Sequence, residues 1–281
     1  MLLAAALFGS AAAAQDGPAL TTSPARPRPG TLFELRLVAR GADQAITGDV
    51  AGEPLHFVRD GAQWRAWGAA PVDSAGSLVV RLSRCRSAAG CDSLRHTVAL
   101  AAATYRVDAL RVAPRFGQPP DSATTARIAR EFAEARAVSR GAHETPQLWG
   151  GAFARPRSAR ITSGFGNARE FNGTVTSRHT GVDFAGAIGA PVRAAERGVV
   201  RLVGDFFYAG RVVYVDHGAG FVTAYFHLSR ARVVIGDTVA RGQVIGAVGA
   251  SGRVTGPHLH FVARYGEVSV DGLTLPGIGS P

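Results

Sequence analysis

Short runs in which apolar and polar residues alternate fill the chain between residues 31 and 104. In LFELRLVA, Phe33, Leu35 and Leu37 are separated by polar residues, which is the period of a strand with one buried face. Similar runs follow at intervals of roughly ten residues, with Gly or Ser between them: PLHFV, QWRAW, SLVVRLS and HTVALAA. This spacing predicts a small antiparallel β-sandwich over residues 31–104.

A helical pattern interrupts the strands in PPDSATTARIAREFAEARAVSRG. Asp121 or Ser122 can cap a helix after the Pro-Pro pair, and apolar residues recur at helical spacing as far as Gly141. We therefore predict one amphipathic helix near residues 122–139, within a connecting segment over residues 105–150.

Val-rich runs separated by glycines return from residue 151 onward. They are GVVRLVG, RVVYVDHG, FVTAYFHL, DTVARGQVIGAVG and HLHFVARY, and no helix of three or more turns is evident among them. Residues 151–281 are predicted to form an all-β, antiparallel-sheet domain. The predicted fold class is therefore mainly β, with an N-terminal β-sandwich-like domain and a connecting helix.

The chain begins with an apolar run, MLLAAALFGSAAAAQDG, that ends in small residues. Residues 1–14 fit a secretory signal peptide, although no basic residue follows Met1; a disordered Ala-rich start is the alternative. The run is too short for a membrane span, so the mature chain is predicted to have no transmembrane segment. Residues 15–30, which include TTSPARPRPG, are predicted to be an extended Pro-rich linker.

Cysteine and charge usage fit an exported protein. Cys85 and Cys91 are close enough for a disulfide across a hairpin tip, whereas a zinc pair would lack a second pair of cysteines. All 31 basic residues are arginine, and the net charge is +10. The arginines are scattered, so we predict an anionic cell envelope and no nucleic acid as the partner. An Arg-favouring genome would explain much of the same charge.

Candidate chemistry concentrates near the C-terminus, where five of the eight histidines lie between residues 179 and 260. His179 and Asp183 are four apart in SRHTGVDFAG and share a face in a helix or a strand. His258 and His260 in PHLHF share one strand face, with the intervening residue on the other. Each pair alone is compatible with polar residues on a solvent face, and together they could bind zinc.

TAYFHLS adds Tyr225 and His227, which are again two apart and are predicted to share a face. A catalytic zinc takes three protein ligands and an open position for water, which leaves two histidines for acid, base or oxyanion roles. His217 is predicted to orient a turn. The isolated histidines are predicted to be surface or turn residues; they are His56, His96 and His143.

In their order and spacing, SRHTGVDFAG, YFHLS and GPHLHF resemble the signature of the lysostaphin-type (LytM-like) zinc metallopeptidases, the β-lytic group of peptidoglycan endopeptidases. RITSGFGNAR, APVRAAERGVV and GDTVARGQVIGAVGASGRVTGPHLHF also match, so the resemblance covers residues 150–275. The N-terminal domain is more weakly similar to a β-sandwich found on some members.

The resemblance implies one Zn²⁺ per chain, with His179, Asp183 and His260 as ligands and with His227 and His258 as catalytic residues. It implies an exported metalloendopeptidase that hydrolyses amide bonds in peptidoglycan cross-links by zinc-activated water. One catalytic histidine would help to deprotonate the water, and the other would stabilise the oxyanion or protonate the leaving amine. The sequence does not allot these two roles.

Asn167 and Arg169 lie where the family often shapes the substrate groove, and in some latent relatives an Asn in this segment occupies the fourth metal position. Tyr225 is either a groove hydroxyl or a core aromatic. The alternative function is a non-cleaving envelope scaffold or amidase activator with a latent zinc site. We expect a monomer located in the periplasm or outside the cell.

Overall fold

The computed structural model of the protein describes residues 20–275, except for 41–42, 87–89, 118, 172 and 174. Over these residues the fold is mainly β, as predicted. The signal peptide predicted over residues 1–14 lies outside the described residues. Within the described range, none of the helices combines the length and the apolar character needed to cross a bilayer.

The N-terminal domain is a sandwich of two antiparallel sheets. Its strands are β1 (Leu20–Ser23), β2 (Leu32–Val38), β3 (Asp43–Val50), β4 (Glu53–Pro54), β5 (Val58–Asp60), β6 (Gln63–Ala69), β7 (Ser77–Arg86) and β8 (Gly90–Ala99). The two sheets have the strand orders β1-β2-β6-β5 and β4-β3-β7-β8. Phe33, Leu35 and Leu37 are fully buried in the core of this domain. The alternation in LFELRLVA therefore predicted the buried face of β2 correctly.

Two local predictions in this domain were wrong, and one strand was not predicted. The segment predicted to be a linker over residues 15–30 contributes β1, which pairs with β2 and buries Leu20 in the sandwich core. PLHFV is not one strand, because residues 55–57 lie between β4 and β5. DQAITGDV, which has little apolar alternation, forms β3 through its pairing with β7. In each case, pairing with a distant strand outweighed the local pattern.

Cys85 and Cys91 face each other on β7 and β8 and are joined by a disulfide. This agrees with the predicted bridge across a hairpin and excludes the zinc pair. The bridge belongs to a sheet of the N-terminal domain that is separate from the sheet with the histidine-rich strands.

The connecting segment contains β9 (Val107–Leu110), α1 (Pro114–Gly117) and α2 (Ser122–Gly141). The Asp121 carboxylate accepts a hydrogen bond from the Thr124 amide, so Asp121 is the N-cap of α2. Through Ala135, α2 packs on a small core that includes Val262. The predicted helix is thus present and packs on the face of the C-terminal domain.

The C-terminal domain is built on one large sheet with short strands at its margins. Its elements are β10 (Ile161–Ser163), β11 (Ala168–Phe171), β12 (Val175–Arg178), β13 (Val182–Ala185), β14 (Pro191–Arg193), β15 (Gly198–Phe206), β16 (Gly210–Gly218), β17 (Phe221–Ala231), β18 (Thr238–Val239), β19 (Val244–Val248), β20 (His258–Tyr265), β21 (Val268–Val270) and a 3-10 turn, Gly272–Thr274. The main path runs β10-β13-β20-β17-β16-β15-β18. A smaller sheet, β12-β11-β9, includes the strand from the connecting segment in a parallel pair with β11.

Strand β6 joins the two domains because its two faces enter different cores. Ala66 is buried in the sandwich core, while Trp67 and Ala69, two residues apart, pack into the core of the C-terminal domain. Across the same interface, the Tyr265 hydroxyl donates to the Pro54 carbonyl. The domains therefore share buried surface and do not behave as separate units on a flexible linker.

His56 and His143 meet at this interface, although the sequence predicted isolated surface or turn residues. His56 Nε2 lies 2.8 Å from His143 Nδ1, and His143 Nε2 lies 2.9 Å from Glu53 Oε2. The two rings stack, with centroids 5.1 Å apart. Since 87 residues separate the two histidines in the chain, no local pattern could predict this contact.

His217 belongs to a buried hydrogen-bond chain in the C-terminal domain. Its Nδ1 donates to the Arg197 carbonyl at 2.8 Å, and its Nε2 lies 2.8 Å from Thr223 Oγ1. Burial lowers the pKa of His217 to about 4, against the opposing effects of the Arg197 hydrogen bond and the nearby Asp216 carboxylate. His217 is therefore buried in its neutral form.

We expect acid to destabilise the protein partly through His217. Between pH 6.5 and about 4, the unfolded chain takes up a proton that the folded His217 does not, so the free energy of unfolding falls as pH falls. The contribution of His217 to the free energy of unfolding at neutral pH is on the order of 3 kcal/mol. Urea unfolding at a series of pH values should show a smaller fall in the free energy of unfolding for His217→Gln than for the unaltered chain. His96→Gln, on β8, is the control, and equal falls in all three proteins would contradict the prediction.

Candidate metal centre and active site

Antiparallel pairing aligns one residue from each of four neighbouring strands. The row consists of Ser163 on β10, Asp183 on β13, His260 on β20 and Phe226 on β17. Leu259, which precedes His260, is fully buried in the core. Because strand residues alternate between faces, His260 lies on the opposite face from that core, beside Asp183.

His179, Asp183 and His260 bring three donor atoms to one buried point. His179 Nε2 lies 3.0 Å from both Asp183 Oδ1 and His260 Nδ1, and the last two atoms are 2.7 Å apart. All three residues are buried. We call these residues the His–Asp–His cluster. Two imidazole nitrogens and one carboxylate oxygen form a donor set that suits a transition-metal ion such as Zn²⁺.

A backbone carbonyl fixes the orientation of His179. Its Nδ1 lies 2.6 Å from the Gly164 carbonyl oxygen, which can only accept a hydrogen bond. The proton is therefore on Nδ1, and the lone pair of Nε2 faces the cluster. This outer hydrogen bond is the usual way in which proteins orient a metal-binding imidazole.

His227 and His258 are held in the same way beside the cluster. Their Nδ1 atoms donate to the carbonyls of Ser251 and Gly256, each at 2.8 Å, so each Nε2 keeps a free lone pair. The two ring centroids are 4.9 Å apart, and His258 Nε2 lies 3.7 Å from Asp183 Oδ1. The structure thus separates a tight group of three residues from two neighbouring imidazoles.

The backbone of β17 changes conformation at His227, which has a φ of 61°. Side-chain-bearing residues rarely adopt this left-handed conformation, and it breaks the alternation of the strand. Phe226 stacks on His260 with centroids 5.3 Å apart, whereas Tyr225 is fully buried and its hydroxyl accepts a hydrogen bond from the Ala195 amide. The predicted shared face of Tyr225 and His227 was therefore wrong, and of the two alternatives for Tyr225 the structure shows the core aromatic.

Burial and hydrogen bonding set the charges of the cluster. Burial alone would raise the pKa of Asp183, but the adjacent His179 and His260 imidazoles hold it well below its usual range. Burial lowers the pKa of His260 to about 4, although Asp183 opposes this shift. Burial also lowers the pKa of His227 well below its usual range, with contributions from His260 and His258. A carboxylate and neutral imidazoles are the protonation states that bind a cation.

Arg169 and Asn167 lie next to the cluster and make different contacts. Arg169 Nη2 donates to Asp183 Oδ2 at 2.5 Å, on the oxygen that the histidines leave free. Asn167 Nδ2 donates instead to Asp108 Oδ2 at 3.0 Å, and the Ser163 hydroxyl lies 3.2 Å from the same oxygen. Arg169 is thus the residue in direct contact with a candidate ligand, while Asn167 binds Asp108.

Arg253 ties together three segments around the cluster, namely its own loop, β11 and the turn between β15 and β16. Its guanidinium carbon lies 3.8 Å from the ring centroid of Phe171 on β11 and 4.3 Å from that of Tyr208, between β15 and β16. The turn with Tyr208 also supplies the Ala209 carbonyl that accepts the His227 amide hydrogen bond. Stacking of a cation between two aromatic rings therefore helps to fix the loops that hold the catalytic candidates.

Residues 177–272 match the family described as Peptidase family M23. A crystal structure described as a peptidase M23 from Pseudomonas aeruginosa shares 31% sequence identity with this chain and superposes on it with a TM-score of 0.68. The match covers 90% of this chain and 96% of the crystallised chain. The chain belongs to peptidase family M23. The resemblance to lysostaphin-type metallopeptidases is thereby confirmed.

Curated relatives of this M23 protein include two enzymes of Vibrio cholerae serotype O1. It is 43% identical over 117 residues to peptidoglycan DD-endopeptidase ShyB and 47% identical over 105 residues to peptidoglycan DD-endopeptidase ShyA. These matches cover 41% and 36% of this chain but 27% and 24% of the relatives. The matched region therefore spans about a quarter of their length.

Sequence reasoning missed the groups that orient the site. Gly164, Ser251 and Gly256 act through backbone carbonyls, which carry no residue-specific signal. Asp108 lies on β9, which pairs with β11 only in the folded chain. Phe226 was visible in YFHLS, but its stacking on His260 depends on the irregular backbone of β17.

Gly181 allows the His260 ring to lie against the backbone. A Cβ atom at this position would lie 2.8 Å from His260 Nε2 and 2.5 Å from the Phe261 carbonyl oxygen. Both distances are shorter than van der Waals contact, and the carbonyl belongs to a central strand, so the imidazole would have to move.

We therefore expect Gly181→Ala to weaken divalent metal binding about 10- to 100-fold, because it displaces a candidate ligand. A titration of metal-free protein with Co²⁺, followed by visible absorption, measures the effect. Gly151→Ala is the matched control, since a Cβ there meets nothing within 4 Å. Unchanged affinity in Gly181→Ala, with both variants folded, would argue against this cluster as the metal site.

Proposed function

We propose that this M23 protein is an exported zinc metalloendopeptidase that hydrolyses amide bonds in peptidoglycan cross-links. The observation that carries the proposal is the buried His–Asp–His cluster with two further oriented imidazoles beside it. The names of the relatives, peptidoglycan DD-endopeptidases, support peptidoglycan as the substrate. A peptidoglycan substrate also supports a location in the cell envelope.

One Zn²⁺ per chain would be held by His179 Nε2, Asp183 Oδ1 and His260 Nδ1. When bound, it would polarise the scissile carbonyl and lower the pKa of a water molecule. The neutral imidazoles favour Zn²⁺ over Mg²⁺ or Ca²⁺, which prefer oxygen ligands. The described residues bring three ligands to the cluster, which fits a catalytic zinc site, whereas a structural site takes four.

His227 and His258 would move the protons. Each presents an Nε2 lone pair while its Nδ1 proton is held by a carbonyl, so each can accept a proton without rotating. One of them would accept a proton from the attacking water, and the other would donate to the leaving amine or stabilise the oxyanion.

Arg169 would shape the substrate groove through its contact with Asp183. Its guanidinium binds the Asp183 oxygen that does not face the histidines, and so fixes the carboxylate. The Asn167 amide, bound to Asp108, would support the hairpin that carries Arg169. We propose Arg169 and Asn167 as residues that shape the groove.

Activity should depend on the metal ligands. We expect His260→Ala and Asp183→Ala to lower cleavage of cross-linked muropeptides by about 10³-fold or more, because the carbonyl loses its polarising group. A chelator should have the same effect on the unaltered chain, and added Zn²⁺ should restore cleavage. Product analysis by mass spectrometry is the measurement, and it also identifies the bond that is cut.

The matched control is His96→Ala, in the N-terminal domain, which should cleave as the unaltered chain does. Full activity of His260→Ala or of metal-free protein would overturn the proposal. Binding of peptidoglycan without cleavage by the metal-loaded chain would favour the alternative function, an envelope scaffold or amidase activator.

His227→Ala and His258→Ala should each lower kcat by about 10²- to 10⁴-fold while zinc remains bound. This separation is expected because neither imidazole belongs to the tight group of three donor atoms. Steady-state kinetics together with zinc content by atomic emission measure the two effects. Loss of zinc from either variant would show that it is a ligand and not a proton carrier.

A further inference from the structure

The guanidinium of Arg253 makes no ion pair and no hydrogen bond within the part of the chain that the structure describes. By contrast, the nearby Arg169 is paired with Asp183. The contacts of the Arg253 guanidinium are instead the ring faces of Phe171 and Tyr208. A guanidinium carries five N–H donors around its edge, and aromatic rings on its faces leave those donors unused. The donors of Arg253 are therefore available to a ligand.

These donors reach the surface of the protein. Arg253 is half-buried, and none of its nitrogens belongs to the buried side-chain atoms that lack a partner among the described residues. Burial, with a smaller contribution from Arg169, lowers the pKa of Arg253 to about 10, against the opposing effect of Tyr208. The side chain therefore remains a cation at neutral pH. A partly desolvated cation without a counter-ion favours the binding of an anion.

The loop that carries Arg253 also orients both catalytic candidates. Arg253 lies between β19 and β20, after Ser251 and before Gly256, whose carbonyls accept hydrogen bonds from His227 and His258. A ligand bound to Arg253 would thus lie beside the loop that borders these two imidazoles.

Strand β11 relates Arg253 to the other side of the cluster. Arg169 and Phe171 are two residues apart on this strand, so their side chains share a face and are about 7 Å apart. Arg169 contacts Asp183, and Phe171 contacts Arg253. An extended peptide advances about 7 Å in two residues. A peptide in the groove would therefore meet Arg253 about two residues from the contact with Asp183.

Tyr208 also places Arg253 close to the cluster. The Tyr208 ring lines a cavity of about 90 Å³ together with Thr180 and Phe226. Thr180 follows a candidate metal ligand in the chain, and the Phe226 ring stacks on His260. Arg253 therefore stacks on a ring that borders the site itself, 4.3 Å from its centroid.

A carboxylate is the anion that suits this arrangement. Because rings stack on the guanidinium, a partner has to approach Arg253 in the guanidinium plane. A carboxylate is planar and can accept two parallel hydrogen bonds from that edge. A tetrahedral phosphate would direct some of its oxygens out of the plane and toward the rings.

We propose that Arg253 binds a free carboxylate of the peptide substrate, about two residues from the scissile amide. Arg253 would then be a specificity-determining residue, distinct from the metal ligands and from the two proton carriers. The choice of a peptide as the ligand rests on the proposed function. The unpaired guanidinium at the edge of the groove is independent of that function.

The test is a binding titration that involves no cleavage. The full chain is titrated with the uncross-linked stem tetrapeptide L-Ala-γ-D-Glu-meso-diaminopimelyl-D-Ala, and binding is followed by ligand-observed NMR. A second titration uses the same peptide with every carboxylate converted to a carboxamide. We expect the unaltered chain to bind the free peptide about tenfold more tightly than the amidated one, because a charge-assisted hydrogen-bond pair is lost on amidation.

Arg253→Gln separates recognition of the carboxylate from packing of the loop. This variant removes the cation, so it should bind the two peptides with affinities within about twofold of each other. A loss of loop packing alone would weaken the binding of both peptides equally and would preserve the preference. Arg95→Gln, on β8 of the N-terminal domain, is the matched control and should retain the preference of the unaltered chain.

A spectroscopic measurement on the unaltered chain decides the question if Arg253→Gln does not fold. The Nε–H resonance of Arg253 should shift on addition of the free peptide and should stay in place with the amidated peptide. Inorganic phosphate at the same concentration is the third probe, and it should cause a smaller shift than the free peptide.

Five outcomes would each overturn the proposal. They are equal affinity of the unaltered chain for the two peptides, an undiminished preference in Arg253→Gln, loss of the preference in Arg95→Gln, a fixed Arg253 Nε–H resonance, and a larger response to phosphate than to the free peptide. Since the tetrapeptide contains no cross-link, these outcomes are independent of the muropeptide digestion. Failure of the catalytic proposal would appear in that digestion and would leave the titration unchanged.

Discussion

The pairing of β13 with β20 is the constraint on which the site depends. It places Asp183 directly opposite His260 and so brings a carboxylate and an imidazole together in a buried location. Burial of a carboxylate is unfavourable unless hydrogen bonds or a cation compensate for lost hydration. His260 Nδ1 lies 2.7 Å from one oxygen and can donate to it, and Arg169 donates to the other. The carboxylate thus remains ionised, which is the state that a cation requires.

The strain at His227 is maintained by the opposite face of the same strand. Tyr225 is anchored in the core, where its hydroxyl accepts from the Ala195 amide and lies 2.9 Å from Thr223 Oγ1. On the other face, Phe226 stacks on His260. Two adjacent residues are thereby fixed to opposite faces, and the left-handed backbone at His227 turns a third side chain toward the cluster. The core supports the unfavourable conformation that the site requires.

The connecting segment contributes to the site, and the N-terminal domain packs against the domain that carries it. The connecting segment returns to the C-terminal domain through β9, where Asp108 binds Asn167 and lies 3.2 Å from the Ser163 hydroxyl. Strand β6 packs its second face against the C-terminal core. The M23 structure from Pseudomonas aeruginosa covers 90% of this chain, so the likeness extends well beyond the residues of the family match. The N-terminal domain is thus included in the likeness to that structure and adds one wall of a cavity between the domains.

The sequence by itself determined the features that depend on local periodicity and on spacing within one motif. These include the strand face of His258 and His260, the helix capped at Asp121, and the grouping of His179 with Asp183, because side-chain direction follows from the repeat of a strand or helix. Only the tertiary structure decided what depends on contacts between distant segments or on one irregular dihedral angle. The burial of Tyr225, the pairing of His56 with His143 and the role of Asp108 are of this kind. Distant pairing is set by the total burial that the fold achieves, and no short pattern in the chain encodes it.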